Sequence, residues 1–288
     1  MPSSLMERCY FVLLTTTLLM GGVRLSERIM FTGLDVNDQR YLTIVQEAIA
    51  EERIFFEVQD VRSTHQSRDL LYYECLARLA GLDGRTYCAG DFVPNIEALG
   101  AAPEFDCHML RLILDQLARD DTVILGWNFS AETLGSRLAL AKILQLLRKN
   151  SHVSSRLVLE LTELRVINFT TMAMEFISEI RSLGYRTALD DFGSGFASPN
   201  VLRMMTFDIV KIDSAFLYDV VLSRDQRTSL QNVVSLASNF VPLVVVEGVE
   251  TSSQIDSVIA AGATHFQGYV LSKHKSVDRP SAGVTDTR

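Results

Sequence analysis

The stretch Thr187–Pro199, TALDDFGSGFASP, sets two aspartates at the end of an apolar run and follows them with a turn holding Gly193 and Gly195. Thr187–Leu189 reads as the end of a buried strand. Side chains alternate along a strand, so Asp190 and Asp191 leave it facing opposite sides. The glycine-rich turn is expected to aim both at one place. Similar runs recur on either side. TVILGWN ends at Asn128, RLVLE at Glu160 and FDIVKID at Asp213, while PLVVVEG passes Glu247 and THFQGY carries Gln267. Each is a short apolar or β-branched run that stops on a polar residue.

Helical patterns lie between these runs. Leu230, Val233, Val234 and Ala237 fall at i, i+3, i+4 and i+7, and Ile255, Val258 and Ile259 follow a Thr251–Gln254 capping box. Gly184 and Gly262 read as C-terminal helix stops. Alternating strands and helices, with the strands apolar throughout, predict an α/β fold with a parallel sheet covered by helices. Upstream, the runs around Phe55 and Tyr73 read as two further strands, YLTIVQEAIAEE and FDCHMLRLILDQLARD as helices. The total approaches the eight strands and ~250 residues of a TIM-like β/α barrel. A doubly wound open sheet is the alternative, and the chain has neither the GxGxxG nor the P-loop that accompanies it.

The chain has 288 residues and a net charge of −8. That charge argues against a groove for a DNA or RNA duplex, which works by neutralising phosphates. It leaves room for an anionic substrate held through a metal ion. Cys9, Cys75, Cys88 and Cys107 form no CxxC pair, and the five histidines have no zinc spacing, so reduced thiols and a cytoplasmic setting are expected. Cys9–Val23, CYFVLLTTTLLMGGV, is apolar but shorter than the ~20 residues of a membrane span. It fits a signal-peptide core, a buried packing segment, or a stretch upstream of a start at Met30; membrane association through residues 9–23 is not favoured. Residues 1–30 are accordingly set apart as an apolar leader, 31–278 as one domain and 279–288 as a tail.

In a β/α barrel the C-terminal ends of the strands share one mouth. Glu74, Asn128, Glu160, Asp190, Asp191 and Glu247 would converge there, with Lys211 and Gln267. Two carboxylates 4 Å apart repel by about 4 kcal/mol at an effective dielectric of 20. Such a set must hold protons or a cation. Oxygen donors with one amide suit Mg²⁺ or Mn²⁺ rather than zinc. Paired aspartates further suit two ions, one aspartate bridging both and the other binding the second alone, as in two-metal phosphodiester chemistry.

With these residues in view, the chain resembles the EAL-domain family, the cyclic di-GMP phosphodiesterases, over about Phe55–Lys273. ECLAR at Glu74–Arg78 stands where the family has Glu-Ala-Leu-Leu-Arg. WNFS, LELTE at Leu159–Glu163, LDDFGSGFAS, DIVKIDSAFL, VVEGVET and HFQGYVLSK follow in the family's order. The resemblance implies a barrel whose irregular first strand runs antiparallel to the rest. It implies that Glu74, Asn128, Glu160 and Asp190 hold a first Mg²⁺ or Mn²⁺, with Asp191 and Glu247 around a second. It gives Lys211 the attacking water, with Glu74 and Glu247 beside it in catalysis, and makes Arg78, Gln267 and Asp213 substrate contacts. Glu163 would steady a control loop containing Phe192, Gly193, Ser194 and Gly195 that links homodimer contacts to the metals.

The implied activity is hydrolysis of cyclic di-GMP to the linear dinucleotide pGpG. The alternatives are an EAL-like module that binds the nucleotide or a partner protein with little turnover, and an unrelated Mg²⁺ barrel. No GGDEF-like block accompanies it. Departures from the family pattern are Cys75, Leu79 in place of tryptophan, VQDV with only Gln59 kept from Gln-Pro-Ile-Val, Pro199 and His274. The first three lie near the family's nucleotide pocket and bear more on substrate affinity than on the metals.

Overall fold

The computed structural model describes residues 39–161, 171–193, 199–218, 222–223, 225–271 and 275–276. Eight strands close into a ring: β1 (Ile54–Ser63), β2 (Leu70–Ala80), then, past the short β3 (Thr86–Cys88), β4 (Leu125–Phe129), β5 (Leu157–Leu161), β6 (Arg186–Phe192), β7 (Ile209–Ile212), β8 (Leu243–Val246) and β9 (His265–Gln267). From β2 to β9 the neighbours within the ring are parallel. β1 closes the ring between β2 and β9 and is antiparallel to both. β3 and β10 (Lys275–Ser276) pair outside the ring, on β2 and β1. The expected barrel with an antiparallel first strand is therefore present, and the open sheet is excluded.

Pleating sorts the side chains into two sets. On β4, Trp127 and Phe129 point outward, stacked at 5.1 Å between ring centroids, into the main core. The helix Ala102–Arg119 buries Leu110, Ile113 and Leu117 in that same core. The alternate residues point inward. Val61, Tyr72, Val158, Ala188, Ile209 and Val245 form a second apolar cluster that plugs the barrel. Two residues further along five of these strands stand Glu74, Glu160, Asp190, Lys211 and Glu247. With a side-chain period of two, a strand that places an apolar plug inside must place its i+2 residue inside as well, one step nearer the mouth. The polar set at the mouth thus rests on an apolar floor.

Local signals behave as expected. Thr251 Oγ1 accepts from Gln254 N at 3.2 Å and Gln254 Oε1 accepts from Thr251 N at 3.0 Å, closing the capping box of helix Ser252–Ala261. Gly262 ends that helix at φ 84°, in the left-handed region. Pro199 opens the helix Pro199–Met204, where its fixed φ is already helical. Among the described residues no helix is long and apolar enough to cross a membrane, and the apolar run 9–23 lies outside them.

The two-sided packing makes a direct prediction. Ile113→Ala should cost about 2–5 kcal/mol, because Ile113 is fully buried between helix and barrel. Leu138→Ala, at an exposed helix position, should stay within about 0.5 kcal/mol. Urea unfolding of the two variants checks this.

Candidate active site

The mouth of the barrel is organised around one ammonium group. Lys211 Nζ is fully buried and lies 3.0 Å from Glu74 Oε2, 2.9 Å from Glu160 Oε2, 3.1 Å from Asp190 Oδ1 and 2.8 Å from Glu247 Oε1. The four acids come from β2, β5, β6 and the end of β8. With all four ionised the cluster would carry a net charge of 1 − 4 = −3. Asp191 adds a further carboxylate, since oxygens of Asp190, Asp191 and Glu247 lie within 4.8 Å of one another, as do those of Glu74, Glu160 and Asp190.

Asp191 joins the group by a backbone device. Its φ is 52°, in the left-handed region that non-glycine residues seldom occupy, and the β6–β7 register breaks between Leu189 and Phe192. The two adjacent aspartates converge because the chain is twisted at Asp191 itself. The expected turning point, the glycine pair, lies further on: Gly193 has φ 101°, and Gly195 falls outside the described residues. Strain of this kind persists only where surrounding structure enforces it and tends to accompany function.

The protonation pattern follows from unequal partners. Burial pushes the Glu74 carboxyl up, but the Lys211 charge and hydrogen bonds from Gln267 and Asn128 outweigh it and hold Glu74 below the usual range. Asn128 Nδ2 donates to Glu74 Oε1 at 2.7 Å, and Gln267 Nε2 to Glu74 Oε2 at 2.5 Å and to Gln59 Oε1 at 2.8 Å. Glu160 has no such donors, and burial pushes it up to about 8 despite Lys211. Asp190 and Glu247 are raised for the same first reason, with the neighbouring acids adding to it. Burial alone would lower Lys211; the ring of acids instead raises it well above its ordinary value.

These residues fit a hard cation. Asn128 Oδ1 and both oxygens of Glu160 are buried and accept no hydrogen bond, although Glu160 Oε2 touches the Lys211 ammonium. Unpaired buried oxygens are costly, and an all-oxygen donor set suits Mg²⁺ or Mn²⁺.

Beside the cluster a cleft of about 250 Å³ opens between β2, β4 and the helices Ala89–Ala98 and Ala102–Arg119. Its lining includes the polar Glu74, Asn128, Asp190 and Asp106 and the apolar Val93, Phe105, Met109 and Trp127. Asp106 Oδ2 accepts from Ser130 N at 2.9 Å, Ser130 Oγ at 3.0 Å and Thr133 Oγ1 at 2.5 Å. Burial pushes its carboxyl up to about 6 against those bonds. Asp106 is not among the residues singled out from the sequence. Its signal was there: an acid on the apolar stripe Phe105, Met109, Leu110, Ile113 has no reason to be in a core.

The other sequence-derived residues fall as follows. Arg78 is buried on β2, its Nε donating to Glu57 Oε2 at 2.9 Å and its Nη1 to Ala77 O at 2.9 Å. Asp213 lies just past β7, and its Oδ1 accepts from Ala215 N at 2.6 Å. Phe192 is buried at the end of β6. Glu163, Ser194 and Gly195 of the expected control loop lie outside the described residues.

Comparison with known proteins agrees with this architecture. The family model described as EAL domain matches residues 43–274. The cyclic di-GMP phosphodiesterase PdeB of Shewanella oneidensis is 26% identical over 241 residues, covering 82% of this chain and 28% of that protein. The cyclic di-GMP phosphodiesterase PdeF of Escherichia coli is 25% identical over 233 residues, covering 80% and 31%. The chain thus spans about a third of the length of these curated relatives. The solved structure of Vibrio cholerae LapD S helix-GGDEF-EAL (apo) shares the fold with a TM-score of 0.75 at 24% identity, over 83% of this chain and 58% of that one.

A raised carboxyl binds more protons folded than unfolded, so stability falls as pH rises between the two values. His108 and His265, lowered by burial from 6.5, and Asp106, at about 6, exert their effect below pH 6.5. Between pH 6.5 and about 8 the slope belongs to the Lys211 cluster, in which Glu160 is pushed up to about 8 and Glu247 is raised well above its ordinary range. In chelator, the protein should lose on the order of 1 kcal/mol of stability across that window. Glu160→Gln should reduce the loss and leave the share due to Glu247, as urea midpoints measured at several pH values will reveal.

Proposed function

We propose a function from one premise: the chain belongs to the EAL domain family. On our reading it hydrolyses cyclic di-GMP to linear pGpG with Mg²⁺ or Mn²⁺ bound at the acid cluster. The observation that carries this reading is the set of carboxylates packed round Lys211 with buried oxygens left unbonded. Such a set has little structural use and a clear chemical one.

Glu74, Asn128, Glu160 and Asp190 would hold a first cation, and Asp191 and Glu247 a second. Bound there, the ions would polarise the phosphodiester and make hydroxide available near neutral pH. Lys211, fixed by four acids, is suited to orient a water beside the ring. Gln267, itself bonded to Gln59, braces Glu74. Arg78, whose Nε donates to Glu57 and whose Nη1 donates to Ala77 O, is given a substrate phosphate by the resemblance; Asp213 is retained as a substrate contact from the resemblance alone. The cleft walled by Trp127, Phe105 and Met109 suits a flat base, and Asp106 offers an acceptor for the N1–H of guanine. Adenine carries an acceptor at that ring position, so the same carboxylate would reject it.

Purified protein with cyclic di-GMP and Mn²⁺ should yield linear pGpG, and Asp190→Ala should yield none. Binding without product from the unaltered chain would favour a binding module instead. Lys211→Ala should lower kcat and kcat/KM together, by about a hundredfold or more. A raised KM at unchanged kcat would make Lys211 a binding residue.

Asp106→Asn should raise KM for cyclic di-GMP by about tenfold with little change in kcat, and should narrow the preference over cyclic di-AMP. Thr133→Val, which removes one hydrogen bond to Asp106 without facing the base, should leave that preference intact. Steady-state kinetics on both nucleotides separates the two outcomes.

A further inference from the structure

Gly126 is an inward-facing residue on β4, level with Glu74 on β2 and Val158 on β5. Its φ is not in the left-handed region, so no backbone conformation demands glycine there. Within a strand, glycine is otherwise a poor choice. The demand is for space. A Cβ on Gly126 would overlap Glu160 Oε1 outright, and would stand 2.7 Å from Tyr72 Cε2 and 3.0 Å from Tyr72 Cδ2. The volume that a side chain at 126 would fill is taken by two neighbours, the Tyr72 ring from one side and the Glu160 carboxylate from the other.

Both neighbours are fully buried and incompletely bonded. Tyr72 is 0% exposed, and its hydroxyl has no hydrogen-bond partner; Glu160 is 0% exposed, with neither oxygen accepting a hydrogen bond. Nothing polar therefore fixes the Glu160 carboxylate beyond its contact with Lys211. Its position is set by shape. Below it lies the apolar plug that includes Tyr72, Val158 and Ala188. Interiors are packed too closely to let a carboxylate sink without a void to receive it.

We infer that Tyr72 and Gly126 are a size-matched pair that positions Glu160: the large ring at 72 supports the carboxylate, and the missing side chain at 126 makes the notch in which it rests. The inference builds on the reading of Glu160 as a metal ligand. It assigns positioning roles to two residues that touch no substrate. The ring of Tyr72 carries the role, and its hydroxyl does not. A methyl group at 126 pushes the carboxylate out of the ring of acids, whereas loss of the ring at 72 lets it drop toward the floor. Each change alone misplaces Glu160, and the two together compensate, because the space vacated at 72 receives what the methyl group at 126 displaces.

The test is Mn²⁺ affinity by calorimetric titration of the full chain, with far-UV circular dichroism to confirm the fold. Gly126→Ala should weaken Mn²⁺ binding by about tenfold or more, the scale seen when a residue supporting a ligand is altered. Gly126→Ala combined with Tyr72→Ala should bind more tightly than Gly126→Ala alone. Tyr72→Phe should bind as the unaltered chain does, and Tyr72→Leu should weaken binding, an outcome that can be read even if Gly126→Ala does not fold.

Unchanged affinity in folded Gly126→Ala or in Tyr72→Leu, a double variant no better than the single, or a loss in Tyr72→Phe would each overturn the pairing. Glu160→Gln separates the two levels. If it keeps full Mn²⁺ affinity, the ligand reading has failed. If it loses affinity while Gly126→Ala does not, the ligand reading stands and the pairing has failed.

Discussion

One buried ammonium among four carboxylates is the constraint on which the rest of this protein depends. Lys211 has no contact with water, and neither does Glu160 beside it. An isolated buried charge is prohibitive, and a buried pair is tolerable only with good geometry and further hydrogen bonds. Here a single cation faces several acids, so pairing alone cannot balance the site. Glu74, with two amide donors besides Lys211, keeps its charge. Glu160, with no other donor, gives up the advantage of ionisation and holds a proton near neutral pH. Contact with the same ammonium thus leads to opposite shifts, and the difference lies in Asn128 and Gln267.

The barrel makes that concentration of charge tolerable by building it on an apolar floor. Each of five strands sends a plug residue inward and then, two residues later, a polar one, so the acids meet at a single level. Asp191 is the exception. It joins the group only through a left-handed backbone, and it stands where a second charge must be turned to the same side. The free energy lost to repulsion, desolvation and strain is recoverable when a cation binds, because a ligand that binds only the folded state stabilises it by mass action. An arrangement costly when empty and favourable when filled is what a binding centre requires.

Much of this was legible in the sequence. Apolar runs stopping at Asn128, Glu160, Asp190 and Glu247 carry the strand period and the polar ends together, and a barrel is the fold that sends such ends to one mouth. The upstream strands read poorly for a physical reason. β1 is antiparallel, bulged between Val61 and Arg62, and carries Glu57 and Gln59 toward the mouth from its N-terminal half. No local pattern announces that reversal. Residues whose meaning lies in a distant neighbour were also hidden. Glu57 matters through Arg78, Gly126 through Tyr72 and Glu160, and Asp106 through Ser130 and the cleft. Asp106 alone left a trace, as an acid on an apolar stripe.

The central claim is that the acid cluster holds protons that it exchanges for a cation. Calorimetric titration with Mn²⁺ at pH 7, repeated in buffers of different ionisation enthalpy, counts the protons released on binding. Since Glu160 is pushed up to about 8, the account predicts release of about one proton or more from the acid cluster. Binding with no proton release, or no binding of Mn²⁺ at all, would contradict it.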